Sequence, residues 1–137
     1  MKVLALDFGR ARTGVAVSDP SGTIARPLEI VERAGSEAGL ARLAELVREE
    51  EAERVVVGLP LTLRGERGEQ ARETEAFVEQ LRAVISVPVE SYDERFTTRL
   101  ARTGPGDSPS DRSEPDDARA AAHLLSSYLE WSSAAKE

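Results

Sequence analysis

The chain has no cysteine, which excludes a disulfide framework and any thiolate-bound metal. That absence fits a reducing compartment. Its one histidine, His123, falls in the middle of a helical pattern and reads as a surface or packing residue rather than a general base. Aromatic residues make up 4% of the sequence, so a stacking platform for single-stranded nucleic acid is not evident. No apolar stretch reaches the length of a membrane span. The apolar run after Lys2 stops at Asp7, too short for a signal-peptide core. Positive charge is in deficit as well. The 18 Lys and Arg face 25 Asp and Glu, a formal net charge of −7, which argues against gripping nucleic acid by bulk charge. A local basic patch stays compatible with that sum. These absences together read as a soluble, cytoplasmic protein with no membrane contact.

What is present suffices for one domain over residues 1–137, large enough to bury a core without covalent staples. The most telling stretch is MKVLALDFGRARTGVAVSD. Val3 to Leu6 is an apolar run that ends in Asp7. A turn containing Gly9 follows, then a second apolar run from Gly14 to Val17. This pattern predicts two buried strands with a carboxylate where the first leaves the core. Gly9 is expected to supply a turn conformation that other residues resist. Thr23 to Val31 predicts a third strand, with Pro27 marking an edge or a bulge.

Ser36 is placed to cap a helix running to about Glu51, with Leu40, Leu43, Ala44 and Val47 on its apolar face. Arg54 to Gly58 predicts a short buried strand ended by Gly58 and Pro60. A second helix is expected from about Glu69 to Ile85, and a fifth strand from Val87 to Tyr92. Thr97 or Thr98 opens a short helix, residues 104–115 form a flexible loop by composition, and a last helix runs from near Pro115 to about Trp131. Three leading strands in a meander, followed by strands alternating with helices, predict an α/β fold. Its mixed five-stranded sheet carries an antiparallel part and a parallel part, with helices packed on it.

Three acidic positions stand out by location. Asp7 ends the first strand, Glu94 follows the fifth, and Asp117 lies in the first turn of the last helix. Counting from Asp117, helical spacing reaches Ala121, Leu124, Leu125 and Tyr128, an apolar stripe that faces the sheet. Asp116 aligns instead with Ala120 and His123. A carboxylate at the start of that helix could therefore meet the two at the strand ends. Such a cluster repels itself unless a cation binds, and all-oxygen donors suit Mg²⁺ or Mn²⁺. Two ions of that kind support phosphodiester cleavage. Taken singly, Asp117 can also be a helix-dipole acid, Glu94 a solvated loop charge, and Asp93 and Asp116 remain alternative ligands.

LALDFGRARTGVAVSD, TIARPLEI, VVVGLPLTLRG, YDERFTT and DDARAAAHLLSSYLE, in that order, resemble the YqgF/RuvX family of pre-16S rRNA nucleases, also described as Holliday-junction-resolvase-like proteins. The resemblance runs through almost the whole chain. It implies a ribonuclease H-like fold, an acidic site of Asp7, Glu94 and Asp117 that holds metal, and trimming of the 5′ end of ribosomal RNA precursor in the cytoplasm. The chain departs from the family pattern at Thr62, where Asn is usual, and at Arg64, where Asp is usual. The loop before the last acidic residue is often rich in Lys and Arg in the family. Here Asp107, Asp111 and Glu114 oppose the single Arg112.

Arg10 and Arg12, in the first turn, are candidates for contacting substrate phosphates, as are Arg64 and Arg67 in a polar loop and Arg95 beside Glu94. Arg95 can also pair with Glu94, and each of the others can be plain surface charge. The expected partners are nucleic acids, precursor rRNA or branched DNA. Two further readings compete: an inactive module that binds nucleic acid or ribosomal precursors, favoured by the acidic loop, and an ATP-binding fragment of actin-like type, from the Asp7-Phe8-Gly9 hairpin. The latter type closes two lobes around its nucleotide, and this chain offers one.

Overall fold

A computed structural model describes residues 1–61, 64–66, 68–93 and 116–135, of which 116, 117 and 133–135 are described by backbone alone. Strands β1 (Val3–Asp7), β2 (Arg12–Ser18), β3 (Ala25–Glu32), β4 (Arg54–Leu59) and β5 (Val89–Asp93) form one sheet, in the order β3-β2-β1-β4-β5. The β1–β2 and β2–β3 pairs are antiparallel, and β1–β4 and β4–β5 are parallel. Helix α1 (Glu37–Glu49) joins β3 to β4, α2 (Glu69–Val84) joins β4 to β5, and α3 (Asp116–Ala135) closes the described chain. The expected short helix at Thr97 or Thr98 and the loop 104–115 lie outside the described residues. Among those described, no helix is long and apolar enough to cross a membrane.

The central strand β1 carries no polar alternation because both of its faces are covered. On one face Leu4, Leu6, Val15, Val17, Val55 and Val57 pack against Leu43 and Leu46 of α1 and Phe77 and Leu81 of α2. On the other, Val3, Ala5, Ala16, Val56 and Tyr92 meet Ala121, Leu124, Leu125 and Tyr128 of α3. The second face is built from smaller side chains, and small side chains let a helix axis sit close to a sheet. At about 25 cal/mol per Å² of apolar surface removed from water, these two layers are the main source of stability.

Local chemistry sets the element boundaries. Ser36 caps α1, its Oγ accepting from the Gly39 N–H at 3.0 Å. Strand β3 is an edge strand and it is bulged. The pairing steps from Val15 with Glu29 to Ala16 with Pro27, which leaves Leu28 as the extra residue. Pro27 has no N–H to give a neighbour, so both features that it predicted are present. The strand begins at Ala25 rather than Thr23 because Asp19 takes the amides of the two preceding residues. Its Oδ1 accepts from the Thr23 N–H at 2.7 Å and the Ile24 N–H at 2.9 Å, and its Oδ2 accepts from the Ser21 hydroxyl. Strand β5 starts at Val89, since Pro88 contributes only a carbonyl, to the Val55 N–H.

Those hydrogen bonds hold the Asp19 carboxyl well below the usual carboxylate range. A depressed folded pKa contributes stability above the unfolded value and loses it as pH falls toward the folded one. Asp19→Ala is therefore expected to lower the melting temperature at pH 7. The gap from wild type should narrow as pH drops below about 4, the ordinary value for Asp. Melting curves for the two proteins across that range check this.

Candidate active site

Asp7 is the last residue of the central strand, and its neighbours across the sheet are glycines. It pairs with Gly14 of β2. In the parallel register, Leu6 pairs with Val57, so Gly58 comes next on the other side, and Gly58 pairs with Tyr92 of β5. Alternation along β1 gives Asp7 the parity of Val3 and Ala5, which face α3. The carboxylate is thus half-buried on the α3 side, with no side chain on either adjacent strand at its own level. Glycines within strands mark places where another group approaches closely. Gly58 does not end β4, contrary to the expectation from sequence. It lies inside the strand, which runs on to Leu59. Pro60 follows and stops the ladder.

Of the other expected acids, Asp93 is the last residue of β5 and pairs with Leu59, on the opposite parity to Tyr92. Glu94 lies outside the described residues. Asp117 lies in the first turn of α3. The residues on its stripe, Ala121, Leu124, Leu125 and Tyr128, are all buried, whereas Ala120 is half-buried and His123 exposed on the stripe of Asp116.

The carboxyl-terminal half of α3 is tied to the sheet by polar contacts. Tyr128 Oη accepts from Arg54 Nη1 at 2.9 Å and donates to the Glu90 carboxylate. Arg54 is the first residue of β4. Tyr128 is thus anchored near the start of β4, while Ser127 beside it shares a 2.8 Å hydroxyl–hydroxyl hydrogen bond with Tyr92, the residue paired with Gly58. Among the described residues, no cluster of three His, Cys, Asp or Glu is arranged to hold a metal. The donors that the rim does offer are carboxylate oxygens, a chemistry that fits a hard divalent cation.

Beside Asp7 a cleft of about 220 Å³ opens between the β1–β2 turn, Pro60 and the first turns of α2, where Gln70, Glu73 and Thr74 line it. Phe8, next after Asp7, turns to the opposite face and stacks on Phe77 of α2, ring centroids 4.3 Å apart and 17° from parallel. Gly9 is required by a close approach rather than by a left-handed turn. A Cβ there would lie 2.5 Å from the Arg12 carbonyl oxygen.

Arg10 reaches across the cleft mouth. Its Nε donates to Glu73 Oε2 at 2.8 Å and its Nη2 to Glu73 Oε1 at 2.5 Å. This pairing raises the Arg10 pKa and lowers that of Glu73. Arg12 is the exposed first residue of β2, and Arg64 is exposed in the loop after β4. Arg67 and Arg95 lie outside the described residues. Sequence reasoning missed Gly14, which it took as the start of an apolar run, and did not single out Glu73. One available signal was the placement of Glu73 one turn from Phe77 on a helix whose start had to return to the rim.

Comparison with known proteins agrees with this architecture. The sequence matches the family profile described as RuvX, Holliday junction resolvase, over residues 1–131. A protein of Chloroflexus aggregans, provisionally named pre-16S rRNA nuclease, is 44% identical over 131 residues, covering 93% of this chain and 92% of its own. One of Syntrophomonas wolfei with the same provisional name is 36% identical over 140 residues, covering 100% of this chain and 99% of its own. Among solved structures, Thermus thermophilus RuvC in complex with a Holliday junction substrate superposes with a TM-score of 0.63 at 20% identity, covering 97% of this chain and 96% of that one. A fowlpox virus resolvase bound to Holliday junction DNA gives 0.54 at 12% identity, covering 96% and 98%. The fold is the ribonuclease H-like fold of these resolvases.

Proposed function

The chain belongs to the RuvX Holliday junction resolvase family, and from that premise we propose that it is a divalent-cation-dependent nuclease of the cytoplasm. In this reading it hydrolyses phosphodiester bonds in the 5′-end processing of pre-16S rRNA and also acts on branched DNA. The observation that supports this best is the setting of Asp7. A carboxylate ends the central strand, flanked in the sheet by Gly14 and Gly58. That setting leaves room beside the carboxylate for a phosphate oxygen and its counter-ion.

Asp7, Glu94 and Asp117 would hold one or two Mg²⁺ or Mn²⁺ ions. Such ions, when bound, polarise the phosphate and make water a competent nucleophile at neutral pH. The protein's own part is positioning and charge. The ladder with β2 fixes the backbone of Asp7 at the end of β1. Arg12, Arg64, Arg67 and Arg95 contact the backbone phosphates and set the register of the substrate without reading its sequence. The amino end of α2, whose first turns line the cleft with Asp7, adds favourable field through its partial positive charge.

The test is cleavage by the purified protein of a structured RNA carrying the precursor 5′ end, and of a four-way DNA junction, with Mg²⁺ or Mn²⁺. RNA cleavage is expected, with loss in Glu94→Gln and in Asp117→Asn while RNA binding is kept. Cleavage that survives both substitutions, or binding with no cleavage under any metal, would overturn the assignment. The second outcome would favour the binding-module reading.

A further inference from the structure

The guanidinium of Arg10 stands at the rim of the cleft that Asp7 lines, and a carboxylate already engages it. The contact is two-pronged: two nitrogens of Arg10 meet two oxygens of Glu73. A guanidinium makes that same fork with a carboxylate or with two oxygens of a phosphate. Glu69, one turn earlier on α2, lies 3.6 Å from the same nitrogen. Resting on the nuclease reading above, we infer that Glu73 is a built-in competitor for substrate. Arg10 is a phosphate-binding residue, and the Glu73 carboxylate occupies its fork until a backbone phosphate displaces it.

Three observations support competition over a merely structural tie. The first is exposure. The Arg10 side chain is 70% exposed and that of Glu73 34%, so water reaches both partners. An exposed pair of this kind is screened and contributes little to folding, which makes exchange for another anion easy. The second is placement. The pair joins the β1–β2 turn to α2 across the mouth of the cleft that Asp7 also lines. The third is charge. Glu69 and Glu73 add negative charge to a mouth that must admit a polyanion. The Glu73 carboxyl is held below its ordinary range by Arg10, so it stays ionised at neutral pH and the competition persists there.

A positioning role and a bulk-charge role for Glu73 each lead to a different result. If Glu73 holds Arg10 in the productive orientation, its removal weakens binding. If Glu73 acts only as one more negative charge, its removal tightens binding whether or not Arg10 is present, and Glu69→Gln does the same.

The experiment measures the affinity of the full chain for a fluorescein-labelled RNA hairpin by anisotropy in EDTA, so that binding is read apart from cleavage. Glu73→Gln, Arg10→Ala, Glu69→Gln and the Arg10→Ala/Glu73→Gln double variant are compared with wild type. Glu73→Gln is expected to bind about fivefold tighter, with a steeper salt dependence by about one neutralised phosphate. In the Arg10→Ala background the same change should have no effect, and Glu69→Gln should give less than Glu73→Gln. Unchanged or weaker binding by Glu73→Gln, or a gain that persists without Arg10, overturns the competition while leaving the nuclease reading intact. Absence of RNA binding by every protein, wild type included, overturns both.

Discussion

Asp7→Asn is expected to lower the rate of RNA cleavage by about 100-fold or more, equivalent to at least about 2.7 kcal/mol of transition-state stabilisation. The substitution keeps the size and shape of the side chain and removes its charge. Asp7 sits at the end of a strand whose ladder hydrogen bonds are made by the backbone, and the substitution keeps them. The core beneath it, Val3, Leu4, Ala5 and Leu6, is untouched. What is lost is a fixed anionic oxygen donor at the rim, and a neutral amide is a poor donor to a hard divalent cation. RNA affinity in EDTA should hold or rise, because a negative charge has left the approach path. Single-turnover cleavage with saturating RNA, run across a Mn²⁺ titration, separates the two effects. Retention of more than about a tenth of wild-type activity at saturating metal would place the chemistry elsewhere on the molecule.

The legibility of this fold tracked burial. β1 could be read because it is covered on both faces and so appears as an unbroken apolar run that a carboxylate interrupts. The stripe of α3 could be read because Ala121, Leu124, Leu125 and Tyr128 repeat at helical spacing and all four are buried. Pro27 announced an edge or a bulge, and β3 has both. Where the reading failed, the deciding interaction joined residues distant in sequence or lay outside the pattern of apolar residues. The start of β3 is set by a carboxylate claiming two amides, which no periodicity registers. Gly58 looked like a stop signal, since glycine often ends a strand, yet it is a strand interior position level with Asp7. Arg10 looked like a free phosphate ligand because its partner comes from α2, on the far side of several intervening elements. The residues proposed for chemistry divide in the same way. Asp7 could be named from the chain alone, whereas the α2 residues that line the same cleft, Gln70, Glu73 and Thr74, emerge only when α2 is packed.

Phe77→Ala should have the largest effect on stability, and its consequences reach the site. Phe77 is 1% exposed and is the largest of the fully buried side chains in the core between the sheet and the two helices α1 and α2. Truncation of a buried Phe to Ala costs about 3–5 kcal/mol, the lost transfer energy plus the cavity left behind. Against a total of about 5–15 kcal/mol for a domain, that is a large fraction. Part of the loss is the ring stack with Phe8. Phe8 directly follows Asp7, so the stack ties the end of β1 to α2 at the level of the carboxylate. Glu73, the partner of Arg10, lies one turn earlier on the same helix. Loss of the ring therefore loosens two walls of the cleft at once.

Urea unfolding should show a lower midpoint with an unchanged slope, the mark of lost stability without a change in the surface exposed. Cleavage should fall further than the unfolded fraction accounts for, since molecules that remain folded hold Asp7 and Glu73 less firmly. Phe77→Leu, which retains more of the side-chain volume but not the stack, should recover most of the stability and less of the activity. If Leu and Ala are equally damaging to stability, the loss stems from something other than core volume. If Leu restores activity as fully as stability, the stack has no part in placing the residue that precedes it.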